Sequence, residues 1–301
     1  MITSSALSAA LLTILVSAVA ATPASALTIA RGGSVQAFDS RQGTVAYVTA
    51  KGNALSLRVR AATGRTRVVA HSRTDESAVL EDFADLRAGS DARGATVFVF
   101  SRGKEDRHAL WVVDAASGGA RRLRTTDRAG RGETLPSAYA GRLGYFAGSR
   151  LVTSSMAGGP EQPVKLDRGA GDELADAAIG PGFFLVDIVD PFRGESSAVG
   201  VLRGGRFNQV FSTPNGEESS ATVDYMNVLD GQLHATVTSN IPAADGQFRA
   251  PLSNSRSHRQ RATLVGEQGE GASPFSGDTF VQMRRAGGRT DLVTRRLSFR
   301  R

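Results

Sequence analysis

The side chains that could do chemistry in this chain are carboxylates and hydroxyls, because the sequence holds no cysteine and only four histidines. Without a thiol, thiolate nucleophiles and a disulfide framework are both excluded. His71, His108, His234 and His258 are scattered, and none forms the closely spaced pair that marks a zinc site. Serines abound, yet no Gly-x-Ser-x-Gly elbow occurs. Among carboxylates, Asp187, Asp190 and Glu195 in VDIVDPFRGES come nearest to the paired acids of glycoside hydrolysis. Asp190-Pro191 is also a turn signal, and that is the reading we expect to hold.

Two further groups of carboxylates stand out. Asp39, Asp85, Asp176 and Asp224 fall in or beside short apolar runs that each precede a glycine. Asp85, Asp176 and Asp224 are the metal-ligand candidates, although their offsets of 9, 6 and 7 residues from that glycine do not describe one ring. Hydrogen bonding to backbone or channel water is the more ordinary role. The second group lies between the apolar runs, where 13 of the 29 carboxylates fall in five short connections. From these and the neighbouring charged loops we take Glu76, Glu81, Asp82, Glu105, Asp106, Glu133, Asp172, Glu173, Asp190, Glu217 and Glu218 as candidate binding residues. An acidic surface of this kind attracts cationic ligands or Ca²⁺, the one ion expected if a cofactor is present at all.

The elements that would position these residues repeat. A glycine followed closely by an apolar strand recurs at Gly43, Gly94, Gly141, Gly182, Gly231 and Gly277, at intervals of 51, 47, 41, 49 and 46 residues. That period belongs to four-stranded propeller blades rather than to helical repeats. Each such strand is preceded by one short run and followed by two more, and we label the four a, b, c and d in order. In the second unit these are Phe83 to Arg87, Ala95 to Ser101, His108 to Asp114 and Ala120 to Arg124, with a charged b–c loop from Arg102 to Arg107. The sixth unit supplies only a, b and c before the chain stops, while Leu27 to Arg31 is a surplus strand at the front. An all-β, six-bladed β-propeller of four-stranded blades follows, its ring closed by the N-terminal strand pairing into the last blade. Alternating strand direction puts the a–b and c–d turns on one face, and the longer b–c and d–a loops on the other. Loops elaborated on one face of a rigid scaffold form the usual binding surface.

LWVVDAASGGARRLR, Leu110 to Arg124, resembles the c-turn-d portion of TolB-type propeller repeats, with weaker echoes at Leu55 to Val69 and Val199 to Val210. The resemblance implies six blades and an exported protein, here with no room for an additional α/β domain. In it, Asp114 takes the place of a c–d turn residue. Trp111, Tyr145, Phe146, Phe183 and Phe184 are expected to pack between blades.

The first 26 residues carry no charged side chain, and Ala9 to Ala20 is too short an apolar core to span a bilayer. Ala24-Ser25-Ala26 matches a small-x-small cleavage site. We therefore expect residues 1–26 to be a signal peptide and residues 27–301 a single propeller domain, secreted or held at a bacterial cell envelope. No later segment is apolar enough to cross a membrane. The net charge of +7 comes with arginines spread along the chain and not interleaved with aromatics, which argues against a nucleic-acid partner. The expected function is non-enzymatic: a monomeric scaffold that binds a protein, peptide or envelope polymer through the long-loop face. The alternative is a metal-assisted hydrolase or lyase centred on the channel carboxylates.

Overall fold

The structure is a computed structural model that describes residues 26–73, 82–83, 85–104, 107–124, 132–166, 173–190, 196–212, 221–239, 246–251, 260–263, 272–286 and 289–300. Within these residues every regular element is a β-strand. Blade 1 contains β1 (Thr28–Arg41), β2 (Thr44–Lys51), β3 (Ala54–Arg60) and β4 (Thr66–Arg73), and blade 2 contains β5 (Arg87–Ser90), β6 (Thr96–Lys104), β7 (Arg107–Asp114) and β8 (Ala120–Arg122). Blade 3 follows with β9 (Glu133–Tyr139), β10 (Arg142–Ala147), β11 (Arg150–Ser155) and β12 (Gln162–Pro163). Blade 4 has β13 (Glu173–Gly180), β14 (Phe183–Asp190), β15 (Ser196–Arg203) and β16 (Arg206–Ser212). Blade 5 has β17 (Ala221–Leu229), β18 (Gln232–Ser239), β19 (Gly246–Pro251) and β20 (Gln260–Thr263). Blade 6 has only β21 (Ala272–Ser276), β22 (Thr279–Ala286) and β23 (Arg289–Arg296) of its own.

The missing strand of blade 6 is the first half of β1. Thr28, Ala30 and Gly33 pair antiparallel with Val293, Leu292 and Thr290 of β23, while Ser34 to Arg41 pair with β2 as the innermost strand of blade 1. One continuous strand thus belongs to two blades, and the six-bladed ring closes as the sequence predicts. Leu27 completes the junction, donating its N–H to Thr294 Oγ1 at 2.9 Å and accepting from Thr294 N at 2.9 Å.

Why these segments are strands is plainest in β6. Val97 and Val99 enter the seam with blade 3, against Leu143, Tyr145 and Val152. Phe98 and Phe100 point the other way, into the seam with blade 1, among Leu55, Leu57 and Val59. A strand buried on both faces reads as an unbroken β-branched and aromatic run, and only the period of two tells the seams apart. Trp111 packs against the blade 1 seam, and Tyr145, Phe146, Phe183 and Phe184 are all buried, as expected. The seam between blades 5 and 6 is the exception, because it carries His234, Thr236, Gln247 and Arg249 beside Phe280.

The six repeat glycines all adopt positive φ, from 56° to 81°. At Ala140-Gly141 both residues are left-handed, at 48° and 77°. That is the type I′ geometry whose twist suits a two-residue hairpin. Two boundaries differ from the sequence expectation. The Arg102–Arg107 loop contracts to two residues, because Arg102, Gly103 and Lys104 pair with Ala109, His108 and Arg107. The second inner strand is Arg87–Ser90 and not Phe83 to Arg87; Phe83 is a buried turn residue at φ 71°. Asp114 holds the c–d turn, its Oδ1 accepting from Ala116 N at 2.9 Å and Ser117 N at 2.7 Å. Those bonds, Ser117 first, hold its carboxyl below the usual carboxylate range.

Gly89, in the middle of β5, has no space for a side chain: a Cβ there would stand 2.3 Å from the Ala138 carbonyl oxygen of blade 3. Substituting Gly89→Ala therefore forces adjacent blades apart. We expect a loss of about 1–3 kcal/mol in urea unfolding, the range for overpacking a close-fitted core.

Candidate functional site: the channel and its mouth

The innermost strand of each blade presents one unpaired edge to the central axis. Backbone groups on that edge need partners, since a buried unpaired N–H or C=O is costly. The channel side chains provide them. Asp39, wholly buried, accepts from Ala88 N at 2.7 Å and from Ser40 N at 2.6 Å, joining blades 1 and 2. Asn227 of blade 5 reaches across the axis and donates to Ala88 O at 2.8 Å. Arg87 of blade 2 passes blade 3 and forms an ion pair with Asp176 of blade 4, with a second bond to Ala177 O at 2.9 Å. Asp85 accepts from Ser101 N at 2.8 Å and from Leu135 N at 2.7 Å, so it links blades 2 and 3. Ser137 Oγ accepts from Ile179 N, linking blades 3 and 4, and Ser40 Oγ donates to Pro274 O, linking blades 1 and 6.

At the a–b end the channel is filled. Arg41, 7% exposed, bonds Asp230 Oδ1 at 2.8 Å and the carbonyl oxygens of Gly94 and Gly89 at 3.1 and 3.4 Å. The opposite end is open. A cavity of about 430 Å³ is lined by residues from all six inner strands or the turns leading into them, including Gln36, Asp85, Arg87, Leu135, Ala175, Asp176, Tyr225 and Ser273. These residues lie toward the starts of their strands, so the cavity sits at the end of the channel opposite Arg41. It is a blind funnel, with Arg87 and Tyr225 on its wall and Asp39 and Asn227 beneath.

The electrostatics of the funnel are uneven. Burial pushes the Asp39 carboxyl up to about 6, against the opposing pull of the Ala88 and Ser40 N–H groups and the Arg87 charge. Burial, then the charge of Asp39, raises the Tyr225 hydroxyl well above its ordinary range. That hydroxyl lies beside Asn227 and Asp39. Away from the channel, burial in the blade 5–6 seam and the nearby Arg249 drive His234 down to about 3.

The sequence-derived candidates separate clearly. Of the metal candidates, Asp85 and Asp176 both line the funnel, but Asp85 has each oxygen on a backbone N–H and Asp176 is paired with Arg87. The side chain of Asp224 lies outside the described residues. No group of three potential metal ligands converges among the described residues. Of the loop carboxylates, Asp82 is described, accepting from Gly103 N at 2.9 Å and from Ser72 Oγ, which ties blade 1 to blade 2. Glu133 is buried, and its Oε2 accepts from Leu110 N at 3.3 Å. Glu173 is exposed at the start of β13, beside the mouth. Glu76, Glu81, Glu105, Asp106, Asp172, Glu217, Glu218 and the side chain of Asp190 lie outside the described residues. Sequence reasoning did not single out Arg87, Tyr225, Asn227 or Arg41. The only signal was a polar residue inside an otherwise apolar inner run, and it named no partner.

Comparison with known proteins supports the same architecture. TolB from Acinetobacter baumannii superposes with a TM-score of 0.51 at 14% identity, over 86% of this chain and 65% of its own. A puromycin-hydrolyzing peptidase of Mycobacterium tuberculosis gives 0.51 at 12% identity, over 87% of this chain and 50% of its own. An oligogalacturonate lyase in complex with manganese gives 0.48 at 8% identity, over 91% of this chain and 93% of its own. The chain thus spans less than two thirds of the length of the TolB and peptidase structures. No family model and no curated protein matches the sequence. At these identities the likeness establishes the fold, a TolB-like β-propeller, and nothing finer. No helix among the described residues is long and apolar enough to cross a membrane.

Asp39 and His234 oppose each other in acid. Asp39 is raised from 3.8, so its contribution to stability is full below pH 3.8 and is lost as the pH rises through about 6. His234 is depressed from 6.5, so its contribution is full above pH 6.5 and is lost as the pH falls toward 3. Between roughly pH 4 and 6 one gains while the other declines. Asp39→Asn removes the compensation and should steepen the acid loss of stability in that window, by up to about 1.4 kcal/mol per pH unit. His234→Gln should flatten it. Urea unfolding of the three proteins from pH 4 to 7 checks both signs.

Proposed function

We propose that the protein is an exported, non-catalytic binding propeller that engages a protein, peptide or cell-envelope polymer at the face where its channel opens. The observation that carries this reading is the blind funnel. It is a preformed cavity of about 430 Å³ at one end of a channel plugged at the other by Arg41 and Asp230. Preformed concave sites of this size, part apolar with a few convergent polar groups, are where ligands bind on rigid folds. The long d–a connections, which hold most of the candidate carboxylates, begin and end around the same mouth. Export is supported by the uncharged, apolar first 26 residues with their Ala24-Ser25-Ala26 site.

The hydrolase or lyase alternative has weaker support. Asp85 and Asp176 of the funnel wall are committed to backbone N–H groups and to Arg87, which leaves them little to offer a metal. We accordingly expect the unfolding temperature of the domain 27–301 to be the same in Ca²⁺ and in chelator. A midpoint raised by Ca²⁺ would revive the metal reading.

Ala175 is exposed on the mouth wall, so a large side chain there fills the funnel without disturbing a seam. Pull-down from envelope fractions with the wild-type domain should recover a partner that Ala175→Trp recovers at least about tenfold less, a difference of 1.4 kcal/mol. Equal recovery by both proteins would move the binding surface away from the mouth.

A further inference from the structure

The arginines are dispersed in sequence, yet many gather on one face of the disc. Each inner strand runs toward the Arg41 end, so the a–b turns, the ends of the c strands and the starts of the d strands all lie there. That face carries Arg65 of blade 1, Arg93 of blade 2, Arg142 of blade 3, Arg203 and Arg206 of blade 4 and Arg296 of blade 6, all exposed. None of them forms an ion pair among the described residues. The described carboxylates of the same face are already used. Asp230 and Asp278 are ion-paired with Arg41 and Arg249, Asp91 and Asp114 hold N–H groups of their turns, and Glu161 accepts from the Tyr145 hydroxyl. The turns are short, so this positive charge lies on a broad, shallow surface and not in a cleft. A second observation is independent of charge. The front of β1, which closes blade 6, starts on this face beside the end of β23. Leu27 is 43% exposed there, and the uncharged, apolar residues 1–26 lead into it. While that stretch is attached, it holds this face, and not the mouth, toward the bilayer it enters.

We propose that the face of a–b and c–d turns docks on an anionic lipid surface, with the mouth turned away from it. Each basic side chain held near anionic headgroups adds an increment of attraction, and an array on one plane sums them. Arginines spread over five blades match a planar lattice of charge; a single extended polyanion would cross the disc along one line and meet few of them. Leu27 supplies one apolar contact at the rim, so the association is peripheral and sensitive to salt. The mouth stays free for the partner proposed above, and neither reading depends on the other.

The test is sedimentation of the domain 27–301 with phosphatidylcholine vesicles made with and without phosphatidylglycerol. The protein should bind the anionic vesicles at least about tenfold more strongly than the neutral ones, and release them as salt rises from about 0.05 to 0.5 M. Arg93→Glu combined with Arg206→Glu should weaken binding about tenfold or more without moving the unfolding midpoint, since both side chains are exposed at turns. Arg65→Glu combined with Arg142→Glu, on blades 1 and 3, should repeat the loss. Arg73→Glu combined with Arg150→Glu reverses the same amount of charge at the mouth side, more than a screening length away, and should bind nearly as wild type does. Equal binding to both kinds of vesicle, binding to neither, or an equal loss in the mouth-side pair would overturn the proposal, the last by reducing it to net charge. Dextran sulfate, a soluble polyanion, forms a further arm. If the turn face binds it while the vesicles are left unbound, the partner is an anionic polymer and the lipid assignment falls.

Discussion

The structure depends on how six inner strand edges are satisfied. A propeller removes the outer ends of a sheet by closing into a ring, yet it creates a new set of open edges around the axis. In this protein the axis is narrow enough for side chains to reach across it. Asp39 and Asn227 meet at Ala88, Arg87 reaches Asp176, and Arg41 reaches Asp230. The blades are therefore tied to their neighbours by apolar seams and, across the axis, by charged and amide groups.

The same groups set what the channel can do. Filling by Arg41 at one end leaves a funnel at the other, and commitment of Asp85 and Asp176 to internal partners leaves the wall acidic but not arranged as a metal site. Structure and binding chemistry share residues here. A change in Arg87 or Asp39 alters both the packing of blades and the charge a ligand meets, because burying a charge is tolerable only while its partner stays in place.

Much of the architecture was legible in the sequence. The recurring glycines mark positions where left-handed backbone is needed, and the surplus first strand with the short last blade implied the shared β1. Asp114 was readable because an Asx turn is a local device. The channel was not, because its contacts join residues up to 234 positions apart and depend on which inner-strand side chains reach the axis. Local signals also misled where pairing overrode them. Arg102 to Arg107 carries charge enough to look like a loop, yet Gly103 and Lys104 complete a ladder with His108 and Arg107. Phe83 opens a half-apolar run in sequence, but its left-handed backbone makes it a turn residue ahead of the strand, which starts at Arg87.

The strand shared by blades 6 and 1 has a bearing on how the chain is made. Leu27 and Thr294 stand 267 residues apart, so the first part of the domain to be synthesised pairs with nearly the last. Five blades can assemble in sequence as they emerge, each on the face of the one before. Throughout that time the front half of β1 and the open side of blade 1 have no partner. Such late, long-range pairing slows folding and leaves a strand edge exposed to other chains. If the blades assemble in that order, the chain passes through an open crescent that closes when β1 joins blade 6.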